Sequence, residues 1–294
     1  MSPALPMLVP LCSGLGYAVA ALMLKRGSEG AGPWRVTFVV NWVIAGVFSL
    51  GWLVPSAHPV SFANVTHAAI SGSLFFIGQI FTFLALSRGD VSVATPVLGS
   101  KVVFVALFTV LFGLEKLGPA IWCAVLLTAG ATALLGGGGH AKDRVILLRS
   151  LLYGFCAAMS FSLTDITQQR WIPEWGLFRY MATLFFTMAL LSLGLLPLFR
   201  KDGRQVGATN WRWLIGGATL ISVQASGVAW GIITLGATTT NVLYNSRGVW
   251  SVVLVWCVGH WFGNTESAHG RAVMLRRLAG SLLLLSAILL LTRR

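Results

Sequence analysis

A chain of 294 residues that is 56% hydrophobic and only 10% charged is not built as a soluble globular domain. Its net charge of +13 does not point to nucleic acid: the cations are scattered through short loops, and no basic run alternates with aromatics as a strand-binding groove requires. About 20 apolar residues cross a bilayer as a helix, and ten such stretches fill the chain, leaving no length for a soluble catalytic or receptor domain.

The first predicted helix, near 4–24, carries Gly14, Gly16 and Tyr17. Small residues on a membrane helix signal close packing; the other reading is a cavity wall, with Tyr17 as its candidate. The first cations, Lys25 and Arg26, follow the apolar run instead of preceding it, so a cleaved signal peptide is not expected. The second helix, near 35–54, contains Asn41, either bonded to a neighbour or tolerated. The third, near 67–87, holds Gln79, a mid-membrane amide that wants an interhelical hydrogen bond. After the tight turn Arg88-Gly89-Asp90, the fourth helix, near 92–113, opens on Pro96, where a proline is tolerated. It then reaches Ser100 and Lys101. The fifth, near 118–136, runs into four glycines, Gly136 to Gly139, which read as a linker between halves.

The sixth helix, near 148–168, brings Ser160, Ser162, Thr164, Asp165 and Gln168. Asp165 is the one acidic residue expected inside a span. It is either a substrate or proton group, or an interfacial partner of Arg170. The seventh, near 177–199, precedes a basic loop. The eighth, near 212–235, carries Gln224 and Trp230, and the ninth, near 239–262, carries Tyr244, Asn245, Ser246, Arg247 and Trp250. The tenth, near 275–292, is almost pure Leu, Ala and Ser, as expected of a helix facing lipid.

The chain echoes itself. Thr95-Pro96-Val97-Leu98-Gly99-Ser100-Lys101 returns as Thr240-Asn241-Val242-Leu243-Tyr244-Asn245-Ser246-Arg247, and Gln79 returns as Gln224 about half a chain later. Lys101 and Arg247 are the basic residues deepest in apolar segments. A charge there costs roughly 2.5–3.5 kcal/mol on insertion scales, which makes each a functional candidate. Arg offers a planar fork to a carboxylate or phosphate, and Lys a mobile point charge. Gln79, Gln224, Ser100, Ser246, Asn245 and Tyr244 would add neutral hydrogen bonds, and Trp230, Trp250 and Tyr17 a stacking surface. The competing reading has the cations paired internally, with Asp165 for example, or bonded to carbonyls to lock helices.

Catalysis has no footing in this pattern. Cys12, Cys123, Cys156 and Cys257 all fall in apolar segments, without a disulfide framework or metal spacing. The five histidines lie at or near loops, and neither His-Glu-x-x-His nor a Gly-x-Ser-x-Gly elbow occurs. No enzyme activity, metal or cofactor is expected.

Ala85-Leu86 before the tight turn, Val93-Ala94-Thr95-Pro96 after it, and Glu115 with Gly118 beyond the fourth helix resemble the EamA-type branch of the drug/metabolite transporter superfamily. The second copy departs from the pattern, with Asn241 in place of the proline and Glu266 pushed downstream. The resemblance implies an all-α integral membrane protein of ten transmembrane helices, arranged as two inverted five-helix repeats over residues 1–139 and 140–294. It places the substrate between the halves near the bilayer midplane, lined by helices one, three, four, six, eight and nine, with five and ten peripheral. Plastid phosphate translocators are similar in holding an anion with cations on the fourth and ninth helices.

The expected function is secondary transport of a small metabolite, an organic anion or amino-acid-like zwitterion, by alternating access. Lys101 and Arg247 would hold its negative group. The alternative is a broad drug or cation exporter, which wants acidic residues in the cavity, where only Asp165 qualifies. The partners are then a small-molecule substrate and the lipid bilayer, with no nucleic acid; monomer and homodimer stay open, and the location is a cell membrane of the bacterial inner type. Two cations in an empty cavity would repel each other and favour exchange over net transport, unless Asp165 swings in to pair with Arg247.

Most loop Lys and Arg lie in the odd-numbered loops, which by the positive-inside rule puts both termini outside; the resemblance implies both inside. Alkaline phosphatase fused after Arg294 is expected to be active, as the charges require. An inactive fusion, with a cytoplasm-dependent reporter active at the same point, would give the resemblance's orientation.

Overall fold

The computed structural model describes residues 4–29, 31–55, 58–88, 97–136, 144–200, 208–258 and 271–292. Thr95, Pro96, Glu266 and Gly137 to Gly139 of the glycine linker lie outside these. Among the described residues every regular element is helical: α1 (Ala4–Gly27), α2 (Pro33–Ser49), α3 (Phe62–Arg88), α4 (Lys101–Leu111), α5 (Pro119–Gly136), α6 (Arg144–Trp175), α7 (Leu177–Ser192), α8 (Ala208–Leu235), α9 (Ala237–Tyr244), α10 (Arg247–Val258) and α11 (Arg271–Thr292), with short 3-10 and helical turns after α2 and α7. Local chemistry sets several of the starts. Pro33 opens α2 behind an extended Gly32, where its missing N–H costs no hydrogen bond. Gly176 (φ 92) and Gly236 (φ 84) let the chain reverse within one residue into α7 and α9.

Among the described residues, six helices are long and apolar enough to cross a bilayer: Pro6–Gly27, Pro33–Leu53, Phe62–Ala85, Arg144–Trp175, Leu177–Leu198 and Asn210–Leu235. The other expected spans fall on helical chain that is shorter or interrupted. The apolar helices Val97–Leu111, Pro119–Leu134 and Ala279–Leu291 are shorter, and the expected ninth span is divided into α9 and α10 at Asn245-Ser246. The eleven residues of α4 rise only about 16 Å.

The packing has a regular form. α1 packs on α8 and α3 on α6; α2 packs on α7 and α5 on α11; α3 also meets α7, α8 meets α2, α4 meets α6 and α10 meets α1. Exchanging each helix with its counterpart in the other half returns the same set of pairs. Ring contacts follow it too: His67 stacks on Trp171 at 4.2 Å between α3 and α6, and Arg26 sits over the Trp213 ring at 4.5 Å between α1 and α8.

Two larger apolar clusters accompany a small third one, Val105, Ile166, Ile232 and Ala237, which lies between α4, α6, α8 and α9. One of the larger two is built on Ile44, Phe48, Trp175, Leu184, Phe185 and Met188, from α2, α6 and α7. The other is built on Val102, Ile121, Val125, Val242, Ala287 and Leu291, from α4, α5, α9 and α11. The Leu-rich α11 therefore has two faces: Leu284 and Ala287 are buried, while Leu282, Leu285 and Leu289 are exposed, as suits a helix half against lipid.

Small residues set how close the helices come, as expected where lipid offers no hydrophobic drive for association. A Cβ on Gly14 would lie 2.7 Å from Ser246 Oγ and 3.1 Å from the Arg247 nitrogen, so α1 reaches the junction of α9 and α10 only because residue 14 lacks a side chain. A Cβ on Gly72 of α3 would collide with the Leu184 carbonyl of α7, whereas Gly130 has nothing within 4 Å. Gly72→Ala should lower thermal stability in detergent by about 1–3 kcal/mol, the usual cost of overpacking, while Gly130→Ala should not. Equal melting temperatures for the two variants would contradict this packing.

Candidate functional site

Both copies of the repeated frame interrupt a helix at the same place. Residues 97–99 form a helical turn, Ser100 is a turn residue, and α4 begins at Lys101. Tyr244 ends α9, Asn245 and Ser246 are turn residues, and α10 begins at Arg247. The hydrogen bonds match: Ser100 N–H donates to the Val97 carbonyl at 3.0 Å and Ser246 N–H to the Leu243 carbonyl at 3.1 Å, each three residues back instead of four. Each serine precedes a cation that opens a helix, so the positive end of the helix dipole adds to the side-chain charge. Broken helices whose N-termini face a cavity are a recurring way of meeting anionic groups inside membranes.

The two cations nevertheless sit in different chemistry. Lys101 Nζ lies 2.7 Å from Asp165 Oδ2 of α6, with the side chains 20% and 8% exposed. The same Asp165 oxygen accepts from Asn241 Nδ2 of α9 at 2.7 Å, and that amide also donates to the Ala237 carbonyl at 2.9 Å. Ser162 Oγ, one turn before Asp165, donates to the Lys101 carbonyl at 3.0 Å. The first-half cation is thus neutralised and tied to two second-half helices. Asp165 takes Lys101 and Asn241 as partners, not Arg170, and this internal pairing is one of the readings the sequence left open.

Arg247 has no carboxylate within ion-pair distance among the described residues. Its guanidinium carbon lies 4.8 Å from the Tyr17 ring centroid and 4.7 Å from that of Tyr244, and the two rings meet edge to face at 6.0 Å. Rings at this range stabilise a cation by about 0.5–2 kcal/mol without neutralising it. Tyr17 thus meets the Tyr244 ring of the second half and faces the Arg247 guanidinium.

The remaining candidates divide. Gln79 exchanges hydrogen bonds with Asn41 in both directions, each 3.0 Å, so its amide is occupied in joining α3 to α2. Gln224 is 8% exposed and Ser246 5%, and Gln224 Oε1 and Ser246 Oγ have no hydrogen-bond partner. Ser100 Oγ bonds the Val97 carbonyl at 2.6 Å. Asn245 serves the turn through its backbone, accepting from Gly248 N–H at 2.9 Å. Trp230 is partly buried, and Trp250 is 37% exposed. Asn241, visible in the sequence only as a departure from proline, proves to hold Asp165; an amide where the first copy has proline was the available signal.

Beyond Lys101 a second network joins the same three helices. Thr238 Oγ1 bonds Thr109 Oγ1 at 3.2 Å. Gln169 Oε1 accepts from Ala237 N–H at 3.0 Å, and Gln169 Nε2 donates to the Glu115 carboxylate in the loop after α4. Burial holds the Glu115 carboxyl above the usual carboxylate range, and the bond from Gln169 offsets only part of that rise. That carboxylate lies where a Cβ on Gly236 would stand, so only glycine fits there. Among the described residues no cluster of three metal-ligating side chains forms.

Removing one partner of a buried ion pair strands the other. Lys101→Ala should destabilise the protein by about 3–5 kcal/mol, and Lys101→Ala with Asp165→Ala should recover much of that loss, read as a double-mutant cycle on detergent melting. Additive losses would mean that the pair does not act as a unit.

A solved crystal structure of another protein, 19% identical, covers 99% of this chain and 97% of its own with a TM-score of 0.74, so the two share a fold. The EamA-like transporter family matches residues 4–137, the first half of the repeat described above. Through that half the chain is similar to the EamA-like transporter family, which lies within the drug/metabolite transporter superfamily.

Proposed function

We propose that this multi-pass membrane protein is a secondary carrier of small organic anions or amino-acid-like zwitterions, and that Arg247 holds their negative group. The observation that carries the reading is the unequal treatment of the two cations. Lys101 already has a carboxylate, whereas Arg247, at the start of a helix and clamped by two rings, has none among the described residues. A guanidinium in low dielectric, next in sequence to Ser246 with its unpartnered hydroxyl, is suited to a carboxylate bound through its fork, with a hydrogen bond to a neighbouring polar group.

Alternating access follows from two inverted five-helix repeats, residues 1–139 and 140–294, rocking about a site between them. The half-exchange pattern of helix pairs supports that arrangement. Lys101 and Asp165 then act as a neutral brace, which removes much of the repulsion expected of two bare cations and with it the strict need for exchange. The cation-exporter reading is weaker, since Asp165, its one candidate acid within a span, is spent on Lys101. A cell membrane of the bacterial inner type is the location this reading assumes.

A thermal-shift screen of the twenty protein amino acids and the short mono- and dicarboxylates on purified protein tests the proposal, because a ligand stabilises what it binds. At least one should raise the melting temperature. Arg247→Gln should weaken that ligand by about 10- to 100-fold, the loss of one charge-assisted contact. A ligand that binds Arg247→Gln and wild type alike would refute the role of Arg247.

A further inference from the structure

Among the described residues, a flat contact joins the two halves of the chain at each end of the bundle, and the two contacts differ in chemistry. Near the start of α3 and the end of α6, the His67 ring lies on the Trp171 ring at 4.2 Å, with 4° between their planes. Near the end of α1 and the start of α8, the Arg26 guanidinium carbon lies 4.5 Å from the Trp213 ring centroid. Exchanging α1 with α6 and α3 with α8 carries one contact onto the other. An arginine is charged at every working pH, whereas an imidazole gains or loses its charge between about pH 5 and 8.

The surroundings of His67 suit the charged ring. Its Nδ1 is shielded from solvent, has no hydrogen-bond partner, and lies 3.5 Å from Glu174 Oε2. A bare nitrogen there would face a carboxylate oxygen, lone pair to lone pair. An imidazolium presents an N–H at the same point, and its charge also strengthens the contact with the Trp171 face. The other ionisable groups at this end are engaged elsewhere. Arg179 of α7 donates through Nη1 to the carbonyl of His58, in the loop before α3, at 2.9 Å, and lies 5.8 Å from the Trp52 ring. Tyr180 of α7 is hydrogen-bonded to Ser71, which donates to Thr167 Oγ1 of α6 at 2.7 Å. Arg170 of α6 is exposed. Glu115 and Lys116 line a groove with Val110 and Trp122, and the end of α2 brings no ionisable side chain. Glu174 is thus the charge that faces the ring. The hydroxyls of Ser71 and Thr167, one turn deeper, make a second joint between α3 and α6 that does not respond to pH.

We propose that His67 and Glu174 form a proton-binding clasp between α3 and α6. It tightens in acid as the imidazole takes up a proton, and loosens as the pH rises and that proton leaves. The added charge gains a carboxylate and a ring while the helices are packed, and loses both when they part. Protons at the Glu174 end therefore favour the packed arrangement of α3 on α6, while the Arg26–Trp213 contact at the opposite end keeps its strength. Under the carrier reading above, on which this last step alone rests, the pH at that face weights the rocking of the halves.

Hydrogen exchange by mass spectrometry, on the full-length protein in nanodiscs with no ligand added, tests the clasp at about pH 5.5 and pH 8. Rates are compared as protection factors, which remove the intrinsic pH dependence of amide exchange. In wild type, protection of residues 62–71 and 168–175 should be roughly threefold higher at the lower pH, the size expected of a half-exposed pair with a ring contact. Residues 20–27 and 210–217 should show no such change. His67→Phe, which keeps a ring on Trp171 but cannot titrate, should abolish the difference. Glu174→Gln, which removes the carboxylate, should cut it by about half or more. Glu174 is 45% exposed, so this variant keeps the fold and carries the test even if His67→Phe does not assemble. Equal protection at the two pH values in wild type would overturn the clasp. So would a full-sized response in either variant, or one shared by the Arg26 end. None of these readings involves Arg247, so failure of the clasp and failure of the anion site are separate results.

Discussion

Everything near the centre of this protein depends on one oxygen atom. Asp165 Oδ2 accepts hydrogen bonds from the Lys101 ammonium and the Asn241 amide, both at 2.7 Å and both inside the bundle. In low dielectric an unpaired carboxylate or ammonium costs several kcal/mol, and a pair with further hydrogen bonds recovers most of that cost. The pair joins α4 of one half to α6 and α9 of the other, so the halves share their most expensive charges. Its companion, Arg247, is left with rings and a helix terminus. The asymmetry lies in the side chains, since both copies interrupt the helix in the same way.

That combination, symmetric backbone and asymmetric chemistry, suits a carrier. A repeat whose helix pairs map onto one another when the halves are exchanged offers two conformations of similar packing, and small differences between the halves decide which is preferred. Here those differences are concrete. Gln79 is satisfied by Asn41 whereas Gln224 keeps a free oxygen, and Asp165 and Gln169 of α6 stand where α1 has Ala20 and Leu24.

Much of the fold was legible in the sequence because its signals are local. Hydropathy placed the helices, and Gly14 and Gly16 marked the close approach of α1. The repeated Thr-x-Val-Leu frame located both interruptions, although it did not disclose them: neither Ser100 nor Asn245-Ser246 carries a helix breaker, and the tightened turns appear only with the contacts of α1 and α6 around them. The site was legible as a list of residues but not as a set of pairs. Lys101 and Asp165 lie on different helices far apart in sequence, and no spacing rule tells Asp165 from Arg170 or an incoming anion as the partner of a cation.

The central claim is a division of labour, with Lys101 neutralised by Asp165 and Arg247 kept for the ligand. Its most direct test is an experimental structure by electron cryo-microscopy, with the most stabilising metabolite of the screen present at saturation. The account predicts density for the ligand's anionic group against Arg247 and the start of α10, with the Lys101–Asp165 pair intact. Density on Lys101 with Asp165 displaced, or ligand seated away from both cations, would contradict it.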